Sequence, residues 1–162
     1  MKAFLRQSAS RVFRKLFWSC FQHLVQEVVL KSPRIFGDES RLKIHPSAQV
    51  NDALFNLVSG PVYVGEYAFF GHGVNVITGP HNPALTGEQR KDQFPPEGND
   101  VHISNGVWIG SNATILGPCR IGENAVVGAM ALVRADVPAN VIVAGVPAKV
   151  IRHLDKNALV GQ

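Results

Sequence analysis

Six β-branched residues, Ile103, Ile109, Ile115, Ile121, Val127 and Val133, stand six positions apart without a miss. Four residues after each comes Val107, Ala113, Cys119, Ala125, Ala131 and Val137. A helix, turning every 3.6 residues, would scatter such a series around its axis. Six is a multiple of the strand period of two, so each anchor keeps pointing to the same side of an extended backbone. Gly110, Gly122 and Gly128 directly follow three anchors and Asn112 and Asn124 fall three after two of them, types that tolerate the positive φ of a tight corner. The segment reads as short strand, corner, short strand, with one large and one small residue turned inward on each side. Three sides close a triangular coil of eighteen residues, whose narrow interior explains the Ala, Cys or Val at the second inward place. Self-similarity of this kind marks a β-solenoid, an all-β fold stabilised by coil stacking on coil.

The pattern also runs upstream. Ile44 and Val50 begin it with Ala48 as small partner, the phase slips by two near Asn56, and Val58, Val64, Phe70 and Val76 restore it. Val62, Ala68 and Val74 take the second inward place, with Gly65 and Gly71 at corners. Between the two blocks runs Thr78 to Asp100, with four prolines and three glycines, a loop pushed out from the coil. Long loops on rigid scaffolds commonly carry function. After Val137 the open last coil needs a cover against unpaired strand edges, which the segment AGVPAKVIR, residues 144 to 152, is placed to provide.

Residues 1 to 32 are the only helical pattern. Ser8 or Ser10 is the expected cap, Phe13, Phe17, Cys20, Leu24 and Val28 line one face, and Pro33 is the stop. Lys2, Arg6, Arg11, Arg14 and Lys15 all precede the first acidic residue, Glu27, so the net charge of +4 is concentrated here rather than in a nucleic-acid-binding stripe. Two readings of the apolar face stand side by side: packing against the solenoid or a neighbouring subunit, and peripheral contact of residues 1–32 with an anionic membrane. No apolar run reaches the ~20 residues of a membrane span, and no secretory cleavage pattern follows Leu16 to Gln26. Two cysteines suggest no disulfide framework, and the expected location is the cytoplasm, at the inner face of the membrane on the membrane-contact reading. The expected domains are a helical segment at 1–40, a coil domain at 41–153 with its loop at 78–100, and a tail at 154–162.

Paired carboxylates, a phosphate-cradling glycine loop and a Ser-His-Asp spacing are all missing from the sequence. Cys119 faces the core and is a poor nucleophile. Histidine is the best candidate for chemistry. His81 stands in VITGPHNP, where the chain leaves a rigid coil, so its backbone is fixed while its ring stays accessible. Histidine titrates near neutrality and suits proton abstraction from a hydroxyl or amine.

The stretch VWIGSNATILGPCRIGENAVVGAMALVRADVPANVIVAGVPAKVIR, with VNVITGPHNP before it, resembles the hexapeptide-repeat acyltransferases. Within that family it is similar to the maltose and galactoside O-acetyltransferases and their relatives in polysaccharide-synthesis clusters. The resemblance covers residues 41 to 153 and implies a left-handed parallel β-helix, acetyl-CoA as donor, no metal, and a homotrimer with its active sites between subunits. It implies acetyl transfer to a hydroxyl of a sugar or polysaccharide precursor, or alternatively to an aminosugar nitrogen. His81 matches the family's catalytic histidine, and Asn56 resembles the residue that meets the acceptor. Trp108 and Ser111 match positions along the pantetheine channel, and Ala129 a backbone contact of the cofactor. Lys149 and Arg152 match basic residues near the nucleotide phosphates. The family's Thr-Lys before Asp136 is here Arg134-Ala135, which moves a phosphate-facing cation to Arg134. Arg90 and Lys91 match the family's loop without an assigned role.

Trp108 lies eighteen residues before Val126, so the two should stack on one outer face as an apolar strip suited to a pantetheine arm or to a neighbouring subunit. The family's fold also carries the γ-class carbonic anhydrases, whose zinc needs three histidines across a subunit boundary. His72, His81 and His102 are the candidates here, and His102 should stack below the cation Arg120, an unfavourable place for a ligand. A noncatalytic scaffold, with His81 occluded, is the third class.

Overall fold

The computed structural model describes residues 2–155, and side chains from Phe13 onward except at 26, 27, 29 and 30. Of the expected tail at 154–162, residues 156–162 lie outside the described residues. The chain divides into two compact units, Met1–Ser32 and Pro33–Gln162.

The first unit is helix α1, Lys2–Lys31. It starts before the expected caps Ser8 and Ser10, because Lys2, Ala3, Leu5, Arg6 and Gln7 are themselves strong helix formers. It ends ahead of Pro33, whose ring disfavours helical geometry at Ser32. Phe13, Phe17 and Phe21 stack at four-residue spacing, with ring centroids 6.5 and 6.1 Å apart, and Trp18 stacks on Phe21. This aromatic face is exposed in the chain, together with Leu16, Leu24 and Val28. Among the described residues no helix is long and apolar enough to cross a membrane.

The second unit is a parallel coil. Strands β1 (Arg34–Phe36) and β2 (Leu42–Ile44) belong to its first turn, β3 (Leu54–Asn56), β4 (Val62–Val64) and β5 (Phe69–Phe70) to its second. The third holds β6 (Asn75–Ile77), a loop containing the short helix α2 (Gly87–Asp92), then β7 (Val101–Ile103) and β8 (Trp108–Ile109). The fourth holds β9 (Thr114–Leu116), β10 (Cys119–Ile121) and β11 (Val126–Val127), and the fifth β12 (Leu132–Val133) and β13 (Val141–Ala144). Strand β14 (Lys149–His153) closes the chain. Sheet A stacks β1-β3-β6-β9-β12, sheet B stacks β2-β4-β7-β10, and sheet C stacks β5-β8-β11-β13-β14. All pairings are parallel except the last, where β14 runs antiparallel along β13 and covers that edge of the final coil. Strand β1 already pairs with β3, so the solenoid begins ahead of residue 41, where the repeat first becomes readable.

The core is a stack of ladders. Phe55, Val76, Ile115 and Val133 stand in register through sheet A, and each is fully or almost fully buried. All twelve inward residues of the 103–137 repeat are buried as the spacing predicts. Register advances eighteen residues per coil in the upper part, as from Thr114 to Leu132, but twenty-one from Leu54 to Asn75. The extra residues sit at the corner between sheets A and B. Strand β3 starts eight residues before β4, whereas β9 starts five before β10. Leu57 and Ser59 are buried there and Val58 is only half-buried, so the restored phase begins at Val62 rather than Val58. The wider coil is filled by larger side chains, Phe55 and Phe70, with ring centroids 6.2 Å apart.

The corners divide their labour differently from the simple expectation. Asn112 and Asn124 do carry positive φ, of 58° and 54°, as do Tyr67 and Met130 at the equivalent place. Gly110, Gly122 and Gly128 do not. Two of these glycines serve close approach instead: a Cβ on Gly110 would lie 2.5 Å from the Ala129 nitrogen, and one on Gly122 2.4 Å from the Ala139 nitrogen. Stacked coils bring backbone onto backbone at these points, and a side chain has nowhere to go.

Ile115→Ala is therefore expected to cost ~2–5 kcal/mol, against little for the half-buried, outward Thr114→Ala. Gly110→Ala should cost at least ~1–3 kcal/mol, since the obstructing atoms are main chain and cannot rotate away. Chemical denaturation of the three variants checks both, and equal midpoints would contradict the inward ladder. Burial, with a further contribution from Asp136, pushes the Cys119 thiol up to about 12, while Cys20 is exposed. A thiol reagent at neutral pH should titrate Cys20 in the native protein and gain Cys119 only on unfolding.

Candidate active site

The loop leaves sheet A after Ile77 and returns to sheet B at Val101, so it opens at the A–B corner, the same corner that carries the extra residues in the coils below. Thr78 anchors its start: the buried hydroxyl donates to the Asn56 carbonyl at 2.8 Å and accepts from the Ser59 N–H at 3.3 Å. Its return leg is held by the Asn99 N–H on the Ser59 carbonyl at 3.0 Å. Arg41, in the turn before β2, adds a clamp: Nη1 donates to the carbonyls of Val58 at 3.0 Å and Pro96 at 3.1 Å.

His81 lies three residues beyond Thr78 and is exposed. Its Nδ1 is 2.7 Å from the Arg90 carbonyl oxygen. A carbonyl can only accept, so Nδ1 carries the proton in the neutral ring and Nε2 keeps its lone pair. The Phe94 ring meets the imidazole edge-on, with centroids 6.2 Å apart. Asn56 ends β3 in register with Ile77, and its Oδ1 accepts from the Val58 N–H at 3.1 Å. No described residue accepts from Nδ2, which leaves a donor beside the stem of the loop. A Cβ on Gly79 would lie 2.9 Å from Oδ1, so the stem passes against this amide. His81 and Asn56 are thus brought to one corner.

The other candidate residues gather elsewhere. Phe69, Trp108, Val126, Ile142 and Arg152 form one row across sheet C. Trp108 is half exposed and stacks on Phe69, with centroids 5.7 Å apart. At one strand spacing per step, the row spans about 14 Å from Trp108 to Arg152. The strip expected from the eighteen-residue spacing is present, and it ends in a cation. Lys149, opposite Ala144 in the same edge strand, is also exposed. Ser111 and Ala129 stack at the adjoining C–A corner, where the Met130 N–H donates to the Ser111 carbonyl at 2.9 Å. The Ser111 hydroxyl already accepts from the His72 N–H at 3.2 Å, a tie between coils. Arg134 stands apart, exposed just after β12 in sheet A.

The remaining histidines have separate neighbours. His72 Nδ1 lies 3.0 Å from Asp52 Oδ1. His102 stacks on Tyr63 with centroids 4.6 Å apart, in register with Arg120. Burial first, and the Arg120 charge second, hold the His102 ring below its ordinary value. The pair lines an open groove of about 850 Å³ on the outer face of sheet B, which contains neither His81 nor Trp108. Among the described residues no three metal-ligating side chains converge. Arg41 was invisible to sequence reading because its partners are main-chain carbonyls up to 55 residues away.

Residues 100–135 match the family model described as bacterial transferase hexapeptide (six repeats). A Saccharomyces cerevisiae protein assigned to the acetyltransferases, YJL218W, is 32% identical over 146 residues, covering 90% of this chain and 70% of its own length. Serine acetyltransferase 2 of Arabidopsis thaliana is 32% identical over 158 residues, which is 96% of this chain but 45% of that protein. The chain thus spans less than half the length of that plant relative. Among solved structures, the S84A mutant of AntD, an N-acyltransferase from Bacillus cereus in complex with dTDP-4-amino-4,6-dideoxyglucose and coenzyme A, superposes with a TM-score of 0.62. That match is 16% identical and covers 78% of this chain and 80% of that one. With its six matched repeats, its yeast relative and three stacked parallel sheets, the chain belongs to the hexapeptide-repeat transferase family, and its coil is that family's left-handed parallel β-helix.

Proposed function

We propose that this protein transfers the acetyl group of acetyl-CoA to a hydroxyl of a sugar or polysaccharide precursor, with His81 as general base. The observation that carries this reading is the hydrogen bond of His81 Nδ1 to the Arg90 carbonyl, which leaves Nε2 as the proton acceptor on an exposed ring. His81 Nε2 takes the hydroxyl proton as the acceptor oxygen attacks the thioester carbonyl. A backbone N–H steadies the oxyanion of the tetrahedral intermediate. The C–S bond then breaks, the imidazolium returns its proton to the departing thiolate, and an O-acetyl ester and free CoA remain. The thioester is already activated, so no acyl-enzyme is needed, and Cys119 is buried and held as a thiol. Asn56 Nδ2 is the donor suited to orient the acceptor.

The apolar row from Phe69 through Trp108 to Ile142 fits an extended pantetheine arm, and Arg152 and Lys149 at its end fit the nucleotide phosphates. Arg134, on another sheet, is assigned a more distant phosphate contact. In the order of the coil, sheet C lies across the prism from the A–B corner where His81 emerges. A donor strip and a base on opposite sides of one chain support a site completed by a second copy, as in a homotrimer with sites between subunits.

The test is CoA release from acetyl-CoA with a panel of sugars, aminosugars and serine, in which sugars are expected to turn over and preference for an amine would overturn the O-transfer reading. His81→Ala should lower turnover by a factor of about 10²–10⁴ with an unchanged melting temperature. His72→Ala and His102→Ala should retain turnover. Lys149→Ala and Arg152→Ala should raise KM for acetyl-CoA more than they lower kcat, and leave acetyl-pantetheine unaffected. An equal loss with the donor that lacks the nucleotide would remove their phosphate role.

A further inference from the structure

We propose that Arg90 is the positioning residue for His81: its guanidinium holds the loop so that its own main-chain carbonyl fixes the ring and selects the Nδ1–H tautomer. The inference rests on the acyl-transfer reading only for its kinetic consequence.

The loop has no core of its own. Between residues 80 and 98 Leu85 alone is not exposed, and helix α2 buries no residue. Apolar packing is therefore too sparse to set the direction of the imidazole, and polar bonds have to do so. Arg90 sits in the last turn of α2, where main-chain carbonyls lack partners within the helix. Its carbonyl is thus available, and His81 Nδ1 donates to it at 2.7 Å. The same residue's side chain turns back toward the loop entrance. Its Nε donates to the Leu85 carbonyl and its Nη2 to the Pro83 carbonyl at 3.1 Å. Pro83 and Leu85 belong to the stretch that links His81 to α2, so both ends of one residue close the segment 81–90 on itself. The Asn82 side chain tightens it further, its Oδ1 accepting from the Ala84 N–H at 3.0 Å.

The chemistry requires arginine in particular. Two carbonyls are met from two nitrogens of one planar fork, a geometry that a lysine ammonium on a flexible stem cannot reproduce. The partners are carbonyls rather than carboxylates, so this is not a surface ion pair of the usual low value. Without the side-chain bonds, α2 is free to shift, and the bond that keeps the proton off Nε2 is lost with it. The neutral rings would then be a mixture of tautomers, part of them with the proton on the wrong nitrogen, and the ring would lose its fixed direction.

Nitrogen-15 NMR of uniformly labelled protein, with the His81 signals identified by their loss in His81→Gln, tests this directly. The wild-type ring is expected as the Nδ1–H tautomer, and Arg90→Ala as a tautomer mixture. Arg90→Lys should resemble Arg90→Ala, and methylguanidinium added to Arg90→Ala should restore the wild-type pattern. In the acyl-transfer assay Arg90→Ala should lower kcat by about 10²-fold while KM for acetyl-CoA stays within about twofold, because misdirection of a base affects the reacting geometry and not the phosphate contacts. The exposed position of α2 should leave the melting temperature near that of the wild type. A persistent Nδ1–H tautomer in both Arg90 variants overturns the proposal, whatever their activity. A wild-type protein that turns over no acceptor but shows the tautomer change removes the acyl-transfer reading and leaves Arg90's role standing.

Discussion

Strand-to-strand spacing, about 4.8 Å between stacked coils, is the constraint on which this fold depends. Main chain must approach main chain at every corner, and the corners that come closest admit no side chain. Gly110 faces the Ala129 nitrogen and Gly122 the Ala139 nitrogen at distances no Cβ could occupy. Each coil then satisfies the backbone groups of the next, as where the Gly110 N–H donates to the Val127 carbonyl at 2.7 Å and the Gly122 N–H to the Val137 carbonyl at 2.8 Å. The inward residues are secondary to this spacing. They fill a prism whose size the corners have already set, which is why an Ala, Cys or Val sits at the second inward place of each side.

A coil so regular offers little chemistry, and the chain departs from it in one direction. The A–B corner is longer than its minimum in the first two coils and releases a loop in the third. The lower coils then hold the loop: the Asn56 carbonyl accepts from the Thr78 hydroxyl at the stem, and the Arg41 guanidinium donates to the Pro96 carbonyl at the return leg. The rigid part supplies fixed points, and the irregular part supplies an accessible imidazole. Exposure alone would make His81 an ordinary surface residue. Its bond to a helix-terminal carbonyl distinguishes it, by leaving one nitrogen able to accept a proton.

The periodic part of the fold was readable because inward positions in a strand recur at multiples of two and the spacer never varied from Ile103 to Val137. Burial of Val107 and Ala113, and the register of Trp108 with Val126 and His102 with Arg120, followed from counting alone. Counting failed where three residues were added after Asn56, since an insertion changes the phase of everything behind it, and Leu57 rather than Val58 turned inward. It failed for β1, too short a strand to show a repeat. The glycines were located correctly and given the wrong reason, because sequence shows that a side chain is missing and not what would have struck it. His81 and Asn56 were picked out from the segments around them, and the stem of the loop brings them to one corner. Arg90 was noticed without a role, since its partners are main-chain carbonyls that exist only once the loop has closed.

The separation of the two halves of the candidate site has an energetic consequence. The row from Phe69 to Arg152 leaves Trp108 partly open to water in one chain. An apolar ring stacked on a second apolar ring gains by being covered, at roughly 25 cal/mol for each Å² removed from water. A ligand arm covers only a narrow track. A neighbouring coil, bringing its A–B corner against this face, would cover the remainder and place a His81 beside the strip in the same step. Assembly and completion of the site would then draw on the same apolar surface. On the proposed reading of a site shared between copies, substitutions that weaken the Trp108 strip should consequently disturb both subunit association and donor affinity.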